Sequence, residues 1–100
     1  MSEVIVIEFS APDAGEIYAK VNQALGWNGP APDPEHWPAG MISHVAGASG
    51  DTLVVVEAWE SKAAQEQFME SQLGPAIAKT AVPQPTRIEW LNQIGDAHRH

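Results

Sequence analysis

The stretch MISHVAGASGDTLVVVEAW, residues 41–59, restricts the fold of this chain more than any other part of it. Gly40 to Ala48 and Thr52 to Trp59 are strand-length runs rich in β-branched residues, and Ser49-Gly50 between them is a hairpin signal. A two-residue turn at Ser49-Gly50 pairs Ala48 with Asp51, His44 with Val55 and Ile42 with Glu57. Because side chains alternate, one face carries Met41, Ser43, Val45, Val54, Val56 and Ala58. These are small and nearly all apolar, as expected beneath a helix layer. The other face carries Ile42, His44, Ala46, Leu53, Val55, Glu57 and Trp59, again mostly apolar but with an imidazole, a carboxylate and an indole. Both faces need cover and this chain's own helices can supply only one. The second is expected to lie against another copy, which makes the chain a homodimer.

The flanking segments complete the architecture. EVIVIEF (residues 3–9) is a β-branched run that ends at Ser10-Ala11-Pro12. Asp13 with Glu16 three residues on has the form of a capping box. Ile17, Tyr18, Val21, Ala24 and Leu25 follow at helical spacing, with Gly26 as the stop. GWNGPAPDPEHWPA (residues 26–39), with four prolines and two glycines, reads as a long loop in which Trp37 beside His36 is placed to close over a pocket. Downstream, Ser61 caps a second helix bearing Ala64 and Phe68 one turn apart. Gly74-Pro75 breaks or kinks it, AIAKT (residues 76–80) continues as a short helical turn, and Thr86 to Gln93 is the last strand. The order strand, helix, strand, strand, helix, strand predicts an α+β, ferredoxin-like βαββαβ fold with a four-stranded antiparallel sheet. One domain is expected over residues 1–94, with residues 95–100 a tail.

Composition removes several classes of function. Five Lys and Arg residues against a net charge of −8 cannot neutralise a run of phosphates, so no nucleic-acid partner is expected. No apolar run reaches the ~18 residues of a membrane span, and MSEVIVIEFSAP has no basic segment of a secretion signal. With no cysteine, disulfides, thiolate metal sites and thiol nucleophiles are excluded, and a cytoplasmic location is expected. His98-x-His100 has a metal-like spacing but lies in the tail, so no metal site is predicted.

GMISHVAG, the turn, LVVVEAWES, the helix with Phe68 and the later LGPAI together resemble the dimeric α/β-barrel superfamily. They are most similar to its small antibiotic-biosynthesis-monooxygenase-type proteins, over residues 3–93. The resemblance implies two sheets facing one another across a homodimer to form an α/β barrel, with a pocket in each subunit between sheet and helices or loops. It also implies no cofactor. Three activities fit it. One is binding of an apolar or aromatic small molecule without established chemistry. Another is cofactor-independent oxidation of electron-rich phenols, and a polyketide-cyclase role is the third. Haem degradation, another branch of the superfamily, needs an axial histidine late in the second helix; this chain has Phe68 and Ala78 there and no histidine in that helix.

His44 and Glu57 are the candidate catalytic pair. An imidazole titrating near neutrality suits proton abstraction, and a neighbouring carboxylate would orient it. The structural alternatives are a neutral core histidine bonded to a carbonyl or to Glu57, and a Glu57 paired across the dimer interface with Arg87 or a lysine. Glu8 poses the same question, with a surface role favoured. Ile42, Val55, Trp59 and Trp37 are the candidate ligand-binding residues, although for Trp59 and Trp90 core or interface packing is the commoner role of such aromatics.

Overall fold

A computed structural model describes residues 2–27, 35, 37–80 and 85–95. Four strands, β1 (Glu3–Ser10), β2 (Met41–Ser49), β3 (Thr52–Trp59) and β4 (Arg87–Asn92), form one antiparallel sheet in the order β2-β3-β1-β4. Helix α1 (Ala14–Ala24) connects β1 to β2, and α2 (Lys62–Phe68) with α3 (Gly74–Thr80) connects β3 to β4. This is the α+β, ferredoxin-like order expected from the sequence. His36, residues 28–34 of the predicted loop, most of VPQP, and His98 and His100 lie outside the described residues.

The alternation in EVIVIEF places Ile5, Ile7 and Phe9 in the core and leaves Val4, Val6 and Glu8 half-exposed on the opposite face. Around them gather Ala11, Ala14, Trp27, Met41, Leu53, Val55, Trp59 and Phe68, with Trp59 and Ile5 fully buried. This core faces the helices, and that corrects the predicted orientation of the sheet. The face carrying His44, Leu53, Val55, Glu57 and Trp59 lies under the helices, whereas Ser43, Val45, Val54 and Val56 are on the open side. Strand parity groups residues by face but is symmetric between the two faces. The handedness of the β1–α1–β2 crossover decides which group is covered.

The hairpin also closes one residue later than predicted. Ser49 pairs with Thr52 around Gly50-Asp51, so His44 stands opposite Glu57 instead of Val55. A slip of two in pairing sum conserves parity, so the grouping by face survives. It fails at Met41 and Ile42. An irregularity between Met41 and Ser43 sets Met41 opposite Trp59 in the core and turns Ile42 outward, 42% exposed.

The helix ends show why the local sequence folds as it does. Asp13 occupies the N-cap of α1, but its side chain makes no cap bond, so the expected capping box does not form. At the other end Gly26, with φ +85°, reverses the chain. The Gly26 N–H donates to the Gln23 carbonyl at 3.1 Å and the Trp27 N–H to the Asn22 carbonyl at 2.9 Å. That bond pair is a Schellman motif, and it sends Trp27 into the core, 5% exposed. Ser61 caps α2 as expected, accepting from the Ala64 N–H at 3.2 Å. Gly74-Pro75 does not break the second helix. Instead α2 and α3 are joined by one π-helical turn, Met69–Leu73, closed by the Gly74 N–H donating to the Met69 carbonyl. Proline cannot donate and crowds the carbonyl four residues back, and the wider turn accommodates it. A β-carbon at Gly74 would lie 2.8 Å from the Met69 carbonyl oxygen, so glycine permits the turn.

Candidate functional site

Between α1, the α2–α3 segment and the covered face of the sheet lies a cavity of about 60 Å³. Its lining is almost wholly apolar, including Ile7, Phe9, Leu53, Val55, Phe68 and Leu73, and its polar members are Tyr18, Asn22, His44, Glu57 and the Trp27 indole.

His44 on β2 and Glu57 on β3 are cross-strand partners, and both side chains are buried, 6% and 4% exposed. The carboxylate is held at both oxygens. His44 Nδ1 is 2.8 Å from Oε2, and the Trp59 indole N–H donates to Oε1 at 3.0 Å. An indole is donor-only, and an ionised carboxylate accepts only, so the proton between His44 and Glu57 resides on Nδ1. In the neutral imidazole His44 Nε2 then carries the lone pair. It faces Tyr18 Oη at 2.5 Å, and the phenol donates to it. The result is one directed chain: Tyr18 O–H to His44, His44 N–H to Glu57, with Trp59 anchoring the far carboxylate oxygen. A buried carboxylate without such partners would be strongly unfavourable.

The rings around this chain are packed closely. Tyr18 and His44 stack at 5.9 Å between centroids and 20° between planes. Trp27 meets His44 edge-on at 5.6 Å and 90°, and stacks on Phe68 at 6.5 Å and 12°. Phe68 in turn tilts against Trp59 at 5.6 Å. Burial pushes the Tyr18 phenol above its usual value of 10.0; a hydrogen bond with Asn22 opposes this and the Glu57 charge adds to it. Tyr18 is therefore held as the neutral phenol in the resting site.

Of the residues singled out from sequence, His44, Glu57 and Val55 line the cavity. Trp59 does not. It is fully buried behind Glu57 and Phe68, and its N–H is committed to the carboxylate. Trp37, 43% exposed, donates its indole N–H to the Met41 carbonyl at 2.6 Å and is absent from the cavity wall, as is the outward-facing Ile42. Within the chain, and among the described residues, the ionic partner of Glu57 is His44. Arg87 bonds Glu8 and Glu89 at the surface, so Glu8 has the surface role expected of it. Trp90 is half-buried beneath Lys62, whose Nζ lies 5.5 Å from the ring centroid. Sequence reasoning assigned no site role to Tyr18, Asn22, Trp27 or Phe68. Tyr18 was legible as part of the α1 stripe, and the Leu25-Gly26-Trp27 sequence carried the signal for a helix stop followed by a buried ring. Among the described residues no group of three or more His, Cys, Asp or Glu side chains could hold a metal ion.

No protein-family model and no curated protein sequence matches this chain. Solved structures do. The chain is similar to a putative antibiotic biosynthesis monooxygenase from Chloroflexus aurantiacus, with a TM-score of 0.69 and 12% identity over 98% of each chain. It is similar to SnoaB, a cofactor-independent oxygenase from Streptomyces nogalater, at 0.63 and 12% identity over 95% of each chain. The monooxygenase ActVA-Orf6 of Streptomyces coelicolor, solved with the ligand Nanaomycin D, matches at 0.62 and 19% identity over 99% of this chain and 93% of its own. The fold is thus the ferredoxin-like one found in antibiotic-biosynthesis-monooxygenase-type proteins, in agreement with the resemblance read from GMISHVAG and LVVVEAWES. No helix among the described residues is long and apolar enough to cross a membrane.

Proposed function

We propose that this protein binds a small aromatic hydroxy compound in the cavity and removes its hydroxyl proton, in the manner of a cofactor-independent monooxygenase. The observation that carries the reading is the Tyr18–His44–Glu57 chain, a polarised proton path ending at the wall of an otherwise apolar cavity. The substrate hydroxyl hands its proton to Tyr18 Oη as Tyr18 passes its own to His44 Nε2. Glu57 stabilises the imidazolium that results. The transfer is concerted, because a free tyrosinate is disfavoured by burial and by the Glu57 charge. The electron-rich anion left behind reduces dioxygen itself, so the protein need only abstract the proton, hold the ring and exclude water. A cavity of about 60 Å³ accommodates a water or two but not a ring, so the helix layer must yield on binding.

We further propose a homodimer formed through the open sheet face. Val45 (65% exposed), Leu91 (43%) and Val56 (36%) leave it apolar. A cysteine-free acidic chain suits the cytoplasm, where we place it.

The test is His44→Asn, assayed by dioxygen uptake with a panel of hydroxylated aromatics. Turnover is expected to fall ~10²–10⁴-fold with the fold retained. A variant that melts lower yet turns over normally would reduce His44 to a core residue.

A further inference from the structure

We infer that Trp27 selects the ligand, its indole N–H donating to a neutral acceptor oxygen, that of an aryl ketone or aldehyde, on the ring that enters the cavity. The inference rests on the reading of the cavity as an aromatic-binding site and adds to it the chemistry of the group that is read.

The observation is an unmatched donor. Trp27 lines the cavity and is 5% exposed, yet its Nε1 is buried with no hydrogen-bond partner among the described residues. The indoles of Trp59 and Trp37 both have acceptors, Glu57 and the Met41 carbonyl. A buried N–H left unpaired is unfavourable, and buried indoles ordinarily find a partner. Nor is the ring free to turn its N–H elsewhere. The Gly26 reversal holds its backbone, Phe68 stacks on its face, and His44 meets it edge-on. Phenylalanine could make the same stack without an unpaired donor. An acceptor brought by the ligand relieves the mismatch.

The surroundings narrow the acceptor's charge. Glu57 lines the same cavity with no lysine or arginine among the other lining residues, and the remaining wall is almost all apolar. A carboxylate ligand would be desolvated beside a like charge. A neutral carbonyl meets the N–H without that penalty.

The experiment uses the full chain labelled with ¹⁵N and three probes of similar size, acetophenone, ethylbenzene and benzoate, with Trp27→Phe identifying the Trp27 indole signal. Acetophenone should move that signal downfield and ethylbenzene should not. In Trp27→Phe the affinity ratio of acetophenone to ethylbenzene should fall about tenfold, the usual worth of one buried hydrogen bond together with relief of its unpaired donor. Should Trp27→Phe fail to fold, the wild-type signal, assigned through its contacts with Phe68, gives the same answer. If both neutral probes bind with the signal unmoved and the ratio unchanged, the Trp27 assignment is overturned while the aromatic cavity stands. Benzoate binding as well as acetophenone overturns the neutral-acceptor claim. If neither neutral probe binds, the assignment and the aromatic cavity fall together.

Discussion

Replacing Glu57 by Gln changes one atom, and the hydrogen-bond chain predicts a large effect from it. The Trp59 indole N–H must donate to position ε1, so the amide oxygen is obliged to sit there. The amide nitrogen then occupies the place of Oε2, 2.8 Å from His44 Nδ1. Being a donor, it forces Nδ1 to accept and moves the imidazole proton to Nε2. Nε2 now meets Tyr18 Oη as a donor, and the base has lost its lone pair on the cavity side. The opposite amide orientation is worse, since it sets two donors against each other at Trp59. The stability loss should be modest, about 1–2 kcal/mol for exchanging charge-assisted bonds for neutral ones, or roughly 4–8 °C in Tm per kcal/mol for a domain of this size. Turnover should fall far more, towards the ~10⁴ that a wrong tautomer costs in an acid–base relay. Ring-nitrogen NMR of ¹⁵N-histidine protein measures the tautomer without a substrate. Nδ1–H is expected for the wild type and Nε2–H for Glu57→Gln. Finding Nδ1–H in both would refute the reasoning.

Four further outcomes follow from the same geometry. Tyr18 is the single tyrosine, so tyrosinate absorbance reports it alone; its titration should lie above the ordinary value near 10.0. Because the folded value exceeds the unfolded one, the associated stability is present below about pH 10 and is lost as pH rises towards the folded value, a loss that Tyr18→Phe should abolish in chemical-denaturation curves. Gly74→Ala should lower Tm in spite of a helix-propensity gain of about 1 kcal/mol, because the new methyl group meets the Met69 carbonyl at 2.8 Å. Gly26→Ala, at φ +85°, should cost about 1–2 kcal/mol and lower the protection of the Trp27 amide in hydrogen exchange. Val45→Glu on the open sheet face should convert the proposed dimer to monomer in light scattering while leaving the His44 tautomer unchanged.

The element order and the grouping of residues by strand face were legible in the sequence, because both depend on local regularities. β-branched runs, a helical stripe over Ile17–Leu25 and turn residues report the elements. Period-two alternation brought His44, Val55, Glu57 and Trp59 to one face whether the turn was Ser49-Gly50 or Gly50-Asp51. Ile42 escaped because an irregular pairing between Met41 and Ser43 leaves no local mark as clear as a glycine. Trp37 was assigned to a lid from loop length, and length does not specify which carbonyl an indole will find.

Three things were decided only by tertiary structure. The side of the sheet that the helices cover follows from crossover handedness, a property of the whole chain path that strand parity cannot distinguish from its mirror assignment. Tyr18 reaches His44 across 26 positions of sequence because α1 docks over β2 and β3, and nothing in EIYAKV sets that contact apart from ordinary packing. Trp27 joins them because Gly26 turns the chain back beneath Phe68. Sequence periodicity reports which residues seek burial; it carries no information on which buried polar atoms then meet, and the site consists of those meetings.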